Sequence, residues 1–266
     1  IMVTLALGVS LAALVYGFAQ QSIEDEHPMR IPLIFFLVAG INLSFTTGDF
    51  FNLFVAFEIM LISSYSILTL EIKEKDVRHA LPYLAINLIG SALFLCAGGI
   101  FYALFGSLNF ADIVQLSAGY ANDPRLIVAS LMLVLIFGLK AGFFPLYYWM
   151  PNSYPSLPTP LAAIFAGLLT KVGIYVIIRI FVTVLPHTLL APHQFILILA
   201  VPTMIIGILS ALTQRTIRGV LCFNLVSHIG FMMVSIGILT EQSIAASIFY
   251  MMHHVLVIAS LFLITG

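Results

Sequence analysis

Glu58, Lys140 and Lys171 are ionisable side chains set singly into long apolar stretches. Glu58 lies inside FFNLFVAFEIMLISSY, Lys140 ends LIVASLMLVLIFGLK, and Lys171 sits in the middle of LAAIFAGLLTKVGIYVII. A charge at the centre of a lipid-spanning helix costs about 2.5–3.5 kcal/mol even on the lenient insertion scale, so such residues face a bundle interior or a wet cavity. A buried lysine holds its proton less tightly than one in water, and a nearby carboxylate tightens the hold. One acid and two lysines in separate spans therefore point to a path for protons or ions. The competing reading is a static buried ion pair that only fixes packing.

Histidine extends the candidate path. His228, in NLVSHIGFMM, falls near the middle of an apolar run, and His253 and His254 are adjacent in another. Neutral imidazole both donates and accepts, which suits a proton relay, although a single helical histidine also serves as an interhelical hydrogen-bonding group. His253 and His254 point about 100° apart on a helix and make a poor metal pair. No spaced Cys, His or carboxylate cluster fits zinc, haem or iron–sulfur, and no cofactor is implied. His187 and His193 each follow a proline and are expected in a solvated loop, idle. Asp49 is expected to cap the helix that carries Glu58. Arg179 and Arg215 are expected to snorkel from helix ends. Gly167 and Gly173 are expected to permit close helix packing.

These residues need a lipid-embedded scaffold, and the composition supplies one. Of 266 residues, 62% are hydrophobic and 8% charged, and the mean hydropathy is +1.15. Soluble domains carry about 25% charged residues, so the chain is a polytopic membrane protein. The net charge of −1 and the lack of a basic patch give no support for nucleic-acid binding. Cys96 and Cys222 fall inside apolar spans and read as buried thiols acting as small hydrophobes. There is no phosphate-cradling loop, nucleophile elbow or HExxH motif.

The apolar runs divide into nine candidate spans: 1–20, 31–47, 51–70, 80–105, 126–144, 160–181, 194–213, 217–239 and 244–265. A short interfacial helix is expected over LNFADIVQL. The segment FPLYYWMPNSYPSLPTP is too rich in proline to be one regular helix, so the fifth span should break at Pro145, beside Lys140. Broken helices line substrate paths in transporters. Trp149, Tyr147 and Tyr148 next to the break fit either an interfacial belt or a gate. Arg30, Lys73, Lys75, Arg78, Arg215 and Arg218 collect on one side, which is expected to be cytoplasmic. Ile1-Met2 already lies in an apolar run without a basic n-region, and Gly266 directly follows VLVIASLFLIT, so both ends read as cut from a longer membrane protein.

Two stretches carry a family resemblance: TTGDFFNLFVAFEIMLISSY (46–65) and FGLKAGFFPLYYWMPNSYPSLPTPLAAIFAGLLTKVGIYVIIR (137–179). They resemble the antiporter-like proteins shared by Mrp-type multisubunit cation/proton antiporters, the membrane arm of complex I and membrane-bound hydrogenases. The stretch SYPSLPTPLAAIFAGLLTKVGIY looks most like Mrp D subunits. The resemblance implies an all-α integral membrane fold with inverted five-helix repeats. Residues 1–266 are then similar to helices three to eleven, with 31–181 as the first repeat and 194–266 as an incomplete second one. It further implies a proton path of Glu58, Lys140, Lys171, His228 and His254, with Pro145 and Trp149 at the helix break. The implied partners are other membrane subunits, H⁺, Na⁺ and the bilayer, in a prokaryotic plasma membrane. Two departures stand out. HHVLVI puts Ile258 where the family often has lysine, and the charged residue of the family's twelfth helix would fall beyond Gly266. A redox-driven pump subunit and a non-translocating scaffold remain open beside the antiporter reading. Paired helical histidines are the only support for an intramembrane enzyme.

Overall fold

The computed structural model describes residues 1–20, 27–71 and 77–266. Among the described residues the order is α1 (Met2–Gln20), α2 (Arg30–Thr46), α3 (Phe50–Glu71), α4 (Val77–Phe105), α5 (Phe110–Ser117), α6 (Pro124–Ala141), α7 (Trp149–Ser153), α8 (Thr159–Ile164), α9 (Thr170–Ile178), α10 (Leu190–Leu212), α11 (Ile217–Ile238) and α12 (Glu241–Ile264). Among the described residues eight helical segments are long and apolar enough to cross a membrane, and α2 is a shorter apolar helix. Together they match the nine expected spans. The polar stretch 21–30 and the charged stretch 71–79 between these spans fall largely outside the described residues, as do Lys73 and Lys75.

The helix starts follow local chemistry. Asp49 Oδ1 accepts from the backbone N–H groups of Phe51 (2.7 Å) and Asn52 (3.0 Å), capping α3 as expected. The Asn109 side chain does the same for α5, accepting from Ala111 N–H at 2.9 Å. The two starts are tied together, because Phe50 N–H donates to Leu108 and Phe110 N–H to Gly48. At α6, Asp123 caps the first turn and Pro124 takes the first helical position, where its missing N–H costs nothing.

The innermost segment is Thr159–Val184, with 94% of its most apolar window buried, against 28% for α1 and α10. Expected as one regular helix, it is α8 and α9 joined by a π-helical turn at Phe165–Leu169 and closed by another at Arg179–Val184. Apolar sequence carries no marker for such turns. Close packing on this segment depends on the two glycines singled out above. A Cβ on Gly173 would sit 3.0 Å from Phe137 O and 3.0 Å from Ala141 N on α6, and one on Gly167 would sit 3.3 Å from Ala259 Cβ on α12.

Three expectations are corrected. His193 is not a solvated loop residue: α10 starts at Leu190, so His193 is helical, 4% exposed and edge-on to Phe181. Pro192 is tolerated because it stands in the first turn. Cys96 is exposed on an outward face of α4, beside exposed Leu95, while Cys222 is buried. Arg179 does not snorkel freely. It is half-buried, donates to Phe45 O at 3.2 Å and lies over the Phe110 ring at 5.3 Å. His187 is exposed as expected.

Candidate functional site

Glu58 is half-buried on α3, where it faces α4. Ser91 Oγ of α4 donates to Glu58 Oε1 at 2.5 Å. That bond satisfies one carboxylate oxygen and orients the group without neutralising it. One residue earlier, Gly90 brings α4 against α6: a Cβ there would lie 3.4 Å from Leu139 and 4.0 Å from Lys140 Cε. Glu58 and Lys140 are thus held on either side of the same stretch of α4.

Lys140 is 4% exposed, and its Nζ has no hydrogen-bond partner. The amine lies over the face of Phe57 at 5.0 Å from the ring centroid, which supplies cation–π attraction in place of a hydrogen bond. The expected ion pair with Glu58 is therefore not closed, and this weakens the static-pair reading. An unpaired buried donor carries a desolvation cost, and a structural role alone gives no reason to keep it.

The turn that carries Lys140 is the end of α6. The helix stops at Ala141, earlier than 144, because Gly142 turns left-handed at φ 91. Phe143 N–H donates to Gly138 O (2.8 Å) and Gly142 N–H to Leu139 O (3.3 Å), which is a Schellman ending. Pro145 follows within the break, through a cis Phe144–Pro145 bond. Trp149 belongs to neither an interfacial belt nor an open pore wall. It is 1% exposed, and its indole Nε1–H donates to Leu139 O at 3.1 Å. The ring thus clamps the turn next to Lys140, while Phe144 N–H is held by Thr203 Oγ1 of α10 at 3.0 Å. Tyr148, at 65% exposure, is the member of that group on the outer surface.

Lys171 is 0% exposed on α9. Its Nζ donates to Ala166 O at 2.8 Å, and that carbonyl lies in the first π turn. Such turns open the regular ladder and recur at functional sites. Gly173, two residues on, packs against Ala141, so the helices carrying the two lysines touch beside both of them.

Beyond Lys171 are the histidines. The helix of Lys171 packs against α11, which carries His228, and against α12, which carries His254. The two imidazoles are 4.8 Å apart between centroids. His254 is buried and its Nδ1 is unpartnered, whereas the adjacent His253 is exposed. His228 Nδ1 is hydrogen-bonded to the Tyr250 hydroxyl, and Tyr250 stacks on His254 at 6.1 Å. Ile258, one turn further along α12, is buried among apolar side chains.

The structure therefore gathers Glu58 with Lys140, and Lys171 with His228 and His254, around the touching α6 and α9. Ser91 and Tyr250 join them without having been singled out from the sequence. Tyr250 had a usable signal, since it stands four residues before His254 and so on the same helix face. Ser91 had only its place in an apolar run.

Residues 47–266 match the family model described as NADH:quinone oxidoreductase/Mrp antiporter, TM. The chain is 41% identical over 265 residues to the D-type Na(+)/H(+) antiporter subunit of Alkalihalophilus pseudofirmus, covering 100% of this chain and 54% of that one. It is 34% identical over 258 residues to the Bacillus subtilis protein of the same name, covering 97% and 52%. Among solved structures it is similar to a chain of the Mrp complex from a Dietzia species, with a TM-score of 0.89 and 28% identity over 98% of this chain and 48% of that one. The chain spans about half the length of the relatives it matches. Its all-helical, multi-pass membrane fold is the fold of those relatives. The chain belongs to the NADH:quinone oxidoreductase/Mrp antiporter transmembrane family.

Proposed function

We propose that this chain forms the proton-translocating part of an antiporter-like subunit in a multisubunit Na⁺/H⁺ antiporter of a bacterial plasma membrane. Its partners are other membrane subunits of that complex. It is a transporter component rather than an enzyme. Residues 31–181 form one inverted repeat and 194–266 part of the second. The relatives named as antiporter subunits favour cation exchange over redox-driven pumping.

The observation that carries the proposal is the contrast between a buried, unpaired Lys140 amine and a buried Lys171 amine bonded only to a carbonyl. Neither lysine is locked into an ion pair, so each is free to gain and lose a proton as its surroundings change. Glu58 supplies a negative charge across the same stretch of α4 as Lys140. When that influence weakens, the proton passes through water to Lys171. His228 and His254, on the helices packed against that of Lys171, are the next acceptors and take up the proton as Lys171 gives it up. Relay within α12 then rests on His254, because Ile258 carries no charge. Gly142, Pro145 and Trp149 hold the broken turn that sets the position of Lys140, and movement there would gate the transfer.

The test is Na⁺-dependent ΔpH in everted vesicles from antiporter-deficient cells that express the complete complex. Lys140→Ala and Lys171→Ala should each abolish the signal with assembly intact. Unchanged exchange in both would make the charges structural and the chain a scaffold.

A further inference from the structure

The buried polar groups of α3 and α4 are aligned in a way that the Glu58–Lys140–Lys171–histidine axis does not use. On α4, Tyr83, Asn87 and Ser91 recur every four residues, which puts them on one face. They are 1%, 1% and 7% exposed. On α3, Tyr65 stands seven residues after Glu58 and so lies on the same face, with Ser64 beside it. The two faces meet. Ser91 bonds Glu58 at one end, and the Ser64 and Tyr83 hydroxyls bond each other at 2.6 Å at the other. Tyr65 packs edge-on to Tyr83 at 5.2 Å, and its hydroxyl is buried without a partner. Asn87 lies between the ends, with its side-chain N–H on Tyr83 O at 2.8 Å.

This seam has a direction. From Glu58 it runs toward the C-terminal end of α3 and the N-terminal end of α4, the ends joined through the charged stretch 71–79. Neighbouring polar groups on α4 are one turn apart, about 6 Å along the helix axis, an interval that one water molecule bridges. Among the described residues the titratable groups at the seam are Glu58 and Tyr65 from α3 and Tyr83 from α4, with Lys140 of α6 across α4 from Glu58 and Tyr154, whose hydroxyl is also buried and unpartnered, behind Trp149.

We propose that the Tyr65–Ser64–Tyr83–Asn87–Ser91 seam is the route by which protons reach Glu58 and Lys140 from the membrane face at which α3 and α4 are joined. The proposal rests on the proton-carrying role given to Lys140 above. In each hop an oxygen accepts one proton as it gives up the proton it already held, and the hydroxyl then rotates back, so no group is consumed. Asn87 positions water between the hydroxyls. The proton is delivered to Glu58 through Ser91, and from there to Lys140.

Interhelical hydroxyl and amide bonds also serve as packing glue, so the test needs a readout that glue alone would not move. The complete complex in everted vesicles is assayed for exchange rate against proton concentration and, separately, against Na⁺ concentration. Tyr83→Phe and Ser64→Ala are compared with Ser63→Ala, whose buried hydroxyl bonds only to Ile59 O of its own helix. The expected result is a fall in rate on the order of tenfold to a hundredfold for Tyr83→Phe, steepest where protons are scarce, with the apparent KM for Na⁺ unchanged. Ser64→Ala, the milder change, should follow the same pattern, and Ser63→Ala should transport normally. Wild-type rates in Tyr83→Phe and Ser64→Ala, with Lys140→Ala inactive, would reduce the seam to packing and leave the axis standing. Exchange persisting in Lys140→Ala would overturn the axis and the seam with it.

Discussion

The two lysines occupy contrasting surroundings on touching helices. Lys140, at the end of α6, has an acid nearby, an aromatic face beneath it and no hydrogen bond. Lys171, inside the most buried segment, is bonded to a backbone carbonyl on a helix that packs against those of His228 and His254, with no ion pair to an acid among the described residues. The first site offers a counter-charge, and the second offers acceptors. A proton is therefore attracted at the first and has somewhere to go from the second, an asymmetry that two equivalent lysines would lack. It also teaches that burial alone does not define a relay residue. Both amines are buried, and what separates them is which neighbours can share or oppose the charge.

The sharpest way to break this comparison is to replace each lysine by methionine, which keeps length and removes the amine. Both variants should lose transport. Their stabilities should differ, because Lys171→Met leaves Ala166 O without its side-chain donor, a loss of about 1–3 kcal/mol. Lys140→Met removes an amine that has no hydrogen bond to lose and replaces its contact with the Phe57 ring by a sulfur–aromatic one, so it should unfold at or above the wild-type temperature. Thermal unfolding of the detergent-purified complex measures this, and equal destabilisation by both would erase the distinction.

Glu58→Gln removes the counter-charge, and with it the proton hand-over through this carboxylate. Glutamine still accepts from Ser91, so packing is kept while the field on Lys140 is lost. Exchange should slow on the order of tenfold, with complex abundance unchanged. Tyr250→Phe acts at the other site by freeing His228 Nδ1 and should slow exchange by a smaller factor of about three, the low end of the net worth of one hydrogen bond. If Tyr250→Phe were the more harmful, the histidine end would be limiting and the emphasis on Lys140 misplaced. The smallest effect is expected from Asp123→Ala, which removes the cap of the helix that carries Lys140. Hydrogen bonds from Arg125 hold the Asp123 carboxyl below the usual carboxylate range. Its contribution is therefore present at neutral pH and lost as the pH falls through that lowered value, so wild type and variant should converge in thermal stability only in acid.

Most of the scaffold was legible because lipid imposes one simple rule, a long apolar run for each crossing, and those runs are broken by charged or proline-rich segments. Glu58, Lys140 and Lys171 were legible for the same reason, as exceptions to that rule. What escaped was information that apolar sequence does not carry. The end of α6 is set by a left-handed Gly142 rather than by the more conspicuous Pro145. The π turn that presents Ala166 O to Lys171 leaves no mark in FAGLL. Pro192 suggested a loop where a first helical turn admits proline, which misplaced His193. Ser91 and Tyr250 carry no charge, and only the packing of α3 on α4 and of α11 on α12 shows what they touch.

The most direct test of the account is proton flux through the purified complex in proteoliposomes under an imposed Na⁺ gradient, comparing wild type with Lys140→Met and Lys171→Met. Flux is expected in the wild type and none above background in either variant, with all complexes intact. Wild-type flux in either variant would show that protons cross without that lysine and would contradict it.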